Sequence, residues 1–304
     1  MMMKTCRLHL PLAALVLAAL PLASASAHRQ WIMPSQAVVD DAGKYVTFDA
    51  AVSETLFDFD SFPVKLDGLL ITGPDGQPVQ AENISAGKLR STFDVKLPKE
   101  GTYRAAVLST SVMASYTLNG EQKRFRGSEA ELASGIPKEA TDVRISRTEG
   151  RVESFVTVGD ATDVTPVGKG LEILALTGAT DNVVGTPARF RALIDGKPAP
   201  DLDITIVPGG GRFRAKLGDA TVKTDANGEV TVNWSFAGMM WVGASWPPRP
   251  AAPEGQGGPG GGAGGPGQNA GGPGAGGPGS PGGGRPSAPP RRLTYTATYE
   301  VAPF

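Results

Sequence analysis

The stretch Lys44–Val52, KYVTFDAAV, decides the fold. Val46, Phe48, Ala50 and Val52 occupy every second position, and a period of two marks a strand with one buried face rather than a helix. The same pattern recurs on moving outward. LRSTFDVKL at 89–97 sets Leu89, Phe93, Val95 and Leu97 on one face, and TYRAAVL at 102–108 does so with Tyr103, Ala105 and Val107. Turn chemistry separates these runs: GPDGQP at 73–78, PKEG at 98–101, and LNGE at 118–121, where Asn119-Gly120 is a strong two-residue hairpin signal. Short strands at such intervals predict a β-sandwich.

One helix interrupts the strands. In GSEAELASGIP (127–137), Ser128 and Glu131 have capping-box spacing, Gly135 can end the helix, and Pro137 prevents its continuation. Strands resume at DVRISR (142–147) and RVESFVTVG (151–159), and the turn-rich DATDVTPVGKG (160–170) reads as a boundary. A second strand series follows: LEILALTG, ARFRALIDGKP, LDITIVPGG, RFRAKLG (212–218) and ATVKTDANGEVTVNWSF, in which Val230, Val232, Trp234 and Phe236 share a face. The expectation is an all-β chain of two β-sandwich domains, 28–165 and 170–304, with one short helix.

From about 247 to 290 the composition is dominated by Gly and Pro, without the Gly-X-Y period of a collagen helix. So few apolar side chains cannot offset the entropy of ordering, so the tract is expected to be a disordered insertion. After it, RRLTYTATYEVAPF alternates again, with Tyr295, Ala297, Tyr299 and Val301 on one face. The tract therefore reads as an overgrown hairpin loop between GMMWVGASW and the last strand, tolerable because loop-closure entropy grows only logarithmically with length.

Residues 1–27 read as a secretory signal: Lys4 and Arg7, an apolar run over Leu10–Leu22, and small-residue cleavage patterns ending at Ala25 and Ala27. The run is too short to span a bilayer, and no later segment comes closer, so no membrane-spanning segment is expected. Export is. The single Cys6 lies in this leader, which leaves the 277 residues after it without a disulfide. Losing Lys4 and Arg7 takes the formal charge from −1 to −3, and with no long basic run this argues against a nucleic-acid partner.

No zinc-protease, phosphate-loop or nucleophile-elbow pattern is present, so no enzyme is expected. Of the two histidines, His9 falls in the leader and His28 directly after the second cleavage frame. Cutting after Ala27 makes His28 the first residue, so that its imidazole and the processed N-terminal amine can chelate one metal ion. Cutting after Ala25 gives Ser-Ala-His, whose amine, two deprotonated amides and imidazole form a planar nitrogen set suited to Cu(II) or Ni(II). The alternative is a solvated histidine ahead of the first strand. Glu54, Asp58 and Asp60 in SETLFDFDSFP offer oxygen ligands, but interleaved Phe57, Phe59 and Phe62 favour a strand face or half-buried loop. Met239 and Met240 read as core filler before soft copper ligands. Trp234, Trp241 and Trp246 include at least one core residue before any sugar platform, and Trp31 and Pro34 anchor and edge the first strand.

AHRQWIMP at 27–34, LEILALT, LIDGKP, TDANGEVTVNW, GMMWVGAS and YTATYEV together resemble the periplasmic domain-of-unknown-function 4198 family, itself described as similar to the NikM component of nickel or cobalt uptake systems. The resemblance spans the chain after the leader except the Gly/Pro tract. It implies Ig-like or transthyretin-like β domains and an association with transition-metal uptake, with His28 the one candidate ligand carried over. On that basis the expected function is a non-enzymatic periplasmic protein that binds Ni(II), Co(II) or Cu(II) and works with a membrane metal transporter or outer-membrane receptor. The competing expectation is a cell-envelope binding or scaffold module contacting protein or glycan. A copper oxygenase is disfavoured because a two-histidine brace cannot be built.

Overall fold

The computed structural model describes residues 28–214, 218–248 and 290–304. The expected leader and all but the ends of the Gly/Pro tract lie outside them. Along the chain run β1 (Arg29–Pro34), β2 (Val38–Val39), β3 (Tyr45–Ser53), β4 (Phe62–Pro63), β5 (Leu69–Thr72), β6 (Pro78–Val79), β7 (Ala81–Ala86), β8 (Ser91–Lys96), β9 (Gly101–Leu118) and β10 (Glu121–Gly127). After helix α1 (Glu129–Gly135) come β11 (Thr141–Val158), β12 (Leu171–Ala175), β13 (Pro187–Ile194), β14 (Lys197–Pro198), β15 (Asp203–Pro208), β16 (Ala220–Lys223), β17 (Glu229–Asn233), β18 (Gly238–Trp246) and β19 (Arg291–Val301). The all-β expectation holds, and its one α-helix lies where the capping box places it: Ser128 Oγ accepts from the Glu131 N–H and a Glu131 carboxylate oxygen accepts from the Ser128 N–H.

Three sheets form. The first has the order β1-β3-β8-β7 with β4 on β3. The second and largest runs β16-β15-β18-β19-β11-β9-β5-β6 with β10 and β2 attached. The third joins β12, β13, β14 and β17. One part of the large sheet packs under the first sheet, enclosing Val46, Phe48, Phe93, Tyr103 and Val156. Another part packs under the third, enclosing Phe190, Trp234, Met240, Val242 and Tyr299. Phe48 and Phe93, register partners on β3 and β8, stack with centroids 4.9 Å apart.

The large sheet crosses the expected boundary at 165–170, because β19 pairs with β11 in parallel, from Arg147↔Arg291 to Ser154↔Thr298. DVRISR and RVESFVTVG belong to one strand, and its half from Arg151 to Val158 is buried on both faces. Val152, Val156 and Val158 enter the first core and Phe155 the second.

β18 and β19 pair antiparallel from Gly238↔Val301 to Trp246↔Leu293, so the Gly/Pro tract joins the ends of neighbouring strands, as a hairpin loop does. Three local expectations fail. RFRAKLG is not a strand where it is described, since Gly211–Phe213 is a 3-10 turn. Phe236 lies past the end of β17 and is exposed, and Leu89 precedes β8 and is exposed. In each case the chain leaves the sheet before the apolar residue reaches the core. Ser91 holds the inward position instead, donating Oγ–H to the Val64 carbonyl at 2.7 Å.

Candidate functional site

β1 and β3 pair with Arg29 opposite Ser53, so the next residue on each side brings His28 beside Glu54. His28 Nε2 lies 3.5 Å from Glu54 Oε1. The imidazole also stacks on Phe62, centroids 5.7 Å apart and planes at 30°. About a third of the His28 side chain and over half of that of Glu54 remain open to solvent, at 34% and 58% exposure.

The strand that carries His28 is held firmly. Trp31 is fully buried and donates its Nε1–H to Ser53 Oγ at 2.8 Å. Trp241 donates Nε1–H to the Gln30 carbonyl at 2.9 Å, and the Arg29 guanidinium lies 5.4 Å from the Trp241 ring centroid. Trp31 meets Phe57 and Phe59 at centroid distances of 5.4 and 5.5 Å. The 54–61 loop is closed by Asp60, which accepts from the backbone N–H groups of Glu54 (3.0 Å) and Thr55 (2.9 Å) and from Ser61 Oγ (2.8 Å). Burial raises the Asp60 carboxyl, but these hydrogen bonds outweigh it and hold its pKa below the ordinary carboxylate value.

The candidate carboxylates therefore separate by role. Glu54 faces His28, Asp58 is bound by Arg212 through an Nε–H donor at 2.8 Å, and Asp60 serves its own loop. Met240 lies in the second core and Met239 is half-buried. Of the tryptophans, Trp234 is buried and donates to Asn182 Oδ1 at 3.1 Å, Trp241 is committed to Gln30, and Trp246 is exposed. Among the described residues no group of three or more His, Cys, Asp or Glu side chains converges with metal-holding spacing. Glu54 thus lies against Nε2 of His28, the ring nitrogen turned away from the backbone. The α-nitrogen of His28, once an amine, can close a chelate with Nδ1 instead, and Glu54 on the Nε2 side then orients the ring rather than joining the same ion.

Sequence reasoning did not single out a buried charged group inside the large sheet. Glu153 accepts from Arg151 Nη1 (3.0 Å) and Tyr295 OH (2.9 Å), with Arg104 Nε 3.9 Å away. Arg104 and Arg151 donate onward to the carbonyls of Thr165 and Lys169, and Glu172 accepts from the backbone of Val167 and Gly168. Burial first, then the Glu153 charge, pushes the Tyr295 hydroxyl well above its usual pKa. The cluster fastens the 160–170 connection to the sheet. Nothing in the local pattern flags it, because its members occupy ordinary alternating strand positions.

No curated protein matches the chain. Among solved structures it is similar to the D0-D1 domain of intimin (14% identity, 70% of this chain and 88% of that one, TM-score 0.19). It is likewise similar to a DUF4785 family protein of Legionella pneumophila (8%, 70% and 50%, TM-score 0.20) and to the human OSCAR ligand-binding domain (14%, 74% and 94%, TM-score 0.17). Scores this low carry no functional argument. The sequence profile of the domain of unknown function DUF4198 matches residues 25–247, and the chain belongs to that family.

Proposed function

We propose that this is an exported, non-enzymatic periplasmic protein that binds a divalent transition metal, Ni(II), Co(II) or Cu(II), at its processed N-terminus and passes it to a membrane transporter. The observation that carries the reading is the meeting of His28 and Glu54 at the start of β1, on a strand locked by Trp31 and Trp241. Cleavage after Ala27 would give His28 an α-amine that closes a chelate with Nδ1, while Glu54, on the Nε2 side, orients the imidazole and raises its basicity. A rigid strand holding ligands at its exposed end suits a carrier: the ion is held by few ligands, stays open to solvent, and can be taken over by a partner that supplies more. Among the described residues no helix is long and apolar enough to cross a membrane; in this reading the transporter is a separate protein.

Isothermal titration of the processed protein, its intact mass measured first to fix the cleavage frame, tests this. His28→Ala should abolish binding of each ion, and Glu54→Gln should weaken it about tenfold while leaving the stoichiometry at one. Binding should release protons, since the amine and imidazole coordinate only when deprotonated. Equal affinity in wild type and His28→Ala overturns the proposal.

A further inference from the structure

Beyond both cores, the outer part of β9 pairs with β10 on one side and β11 on the other, forming a three-stranded ledge. Helix α1 lies over one face of it. Phe125, the register partner of Ala114, is on that face, and Gly135 approaches so closely that a Cβ there would stand 2.1 Å from the Phe125 ring. Among the described residues no element covers the other face. On it Ser115 stands in one cross-strand row between Arg124 and Arg144, and Arg126 lies opposite Met113 one row along.

The three arginines on this face lack ion-pair partners, and one carboxylate, Asp142, stands beside them. Arg90, Arg147, Arg189, Arg191, Arg212 and Arg291 each lie against a carboxylate. Arg124, Arg126 and Arg144 are exposed, and none has a carboxylate within ion-pair range among the described residues. Asp142, beside the irregularity between Thr141 and Arg144, accepts instead from Thr117 Oγ1 at 3.2 Å. Ser115, Gln122, Asp142 and Arg144 line a shallow depression of about 400 Å³.

We infer that this face binds a linear anionic polysaccharide of the uronate type. Guanidinium forks and hydroxyls are donors matched to carboxylate groups. Arg124 and Arg144 are two strand spacings apart, roughly 10 Å, comparable to the separation of carboxylates two sugars apart on a uronate chain, with Ser115 between them. The face carries no aromatic ring on which a neutral sugar would stack, and Met113 alone is too little apolar surface to enter a bilayer. This inference stands apart from the metal reading: the two use different elements and fail independently.

The experiment is calorimetric titration of the processed protein with polygalacturonate, with neutral dextran and phosphatidylglycerol vesicles as comparison ligands. Wild type should bind polygalacturonate and not dextran. The Arg124→Gln/Arg144→Gln variant should bind at least tenfold more weakly, with a shallower dependence of affinity on salt, and Arg124→Glu alone should weaken binding several-fold. Arg189→Gln, on another sheet, should bind as wild type does. Circular dichroism and Tm should be unchanged in the first two variants, since neither arginine has a partner to lose. The inference is overturned if wild type does not bind polygalacturonate, if the double variant binds it equally, or if vesicles are preferred.

Discussion

Asp195 shows how one residue ties distant segments together. It sits at the turn between β13 and β14 with φ 49°, accepts the Gly170 N–H at 2.9 Å, and receives Arg291 Nη1 at 2.6 Å. Arg291 also grips Glu149 through Nε at 2.6 Å, so the first residue of β19 is clamped to β11 and to the third sheet together. The Arg291 hydrogen bond, then that of Gly170, holds the Asp195 carboxyl down to about 2. A depressed pKa contributes stability that is full above the unfolded value of about 3.9 and fades as pH falls toward 2. Asp195→Asn keeps a side-chain Oδ1 to accept the Gly170 N–H and tolerates positive φ, so it removes mainly the charge. Its Tm should lie below wild type at pH 7, and the gap should close between about pH 4 and pH 2. Because the pair is largely exposed, the gap should be small and shrink in high salt. A difference constant from pH 7 to pH 2 would refute the assignment.

At the scale of elements, the pairing of β18 with β19 on either side of the Gly/Pro tract allows a direct test of what the tract does. β18 and β19 are paired up to Trp246↔Leu293, and Arg291 at the start of β19 is held by Glu149 and Asp195. Replacing residues 249–289 by a short glycine-containing turn should therefore leave circular dichroism unchanged and raise stability by up to about 2 kcal/mol, the entropy of closing a long loop less that of a short one. A fall in Tm of more than a few degrees would mean that the tract supports the fold. This hairpin was legible because the alternation of Tyr295, Ala297, Tyr299 and Val301 resumes on its far side. The strand at Val46–Val52 was legible for the same reason, one face being buried and the other not. The half of β11 from Arg151 to Val158 was not: with both faces covered, alternation loses its meaning, and Arg151 and Glu153 look like solvent positions while they are buried. Glu54 was legible as a candidate ligand, but its pairing with His28 was hidden. The two are 26 residues apart in the chain, and only the register of β1 against β3 brings them together.

For the whole molecule, the shared sheet predicts that the two cores unfold as one cooperative unit. Phe155 stacks on Tyr299 in the second core with centroids 5.5 Å apart, while its neighbour Val156 is fully buried in the first. Neither core can lose β11 and keep its floor, and β19, paired in parallel with β11, extends the same sheet to β18 and β15. The buried Arg104–Arg151–Glu153 group adds a second link, since it fastens the connection between the two halves from inside the sheet. Calorimetry should therefore give one transition whose van't Hoff and measured enthalpies agree, as for a two-state unit. Phe155→Ala should lower stability by about 3–5 kcal/mol, the range for emptying a buried aromatic site, and should move the whole transition down in temperature without splitting it. Two transitions, of which Phe155→Ala shifts only one, would show instead that the halves unfold separately and that the β11–β19 pairing couples them weakly.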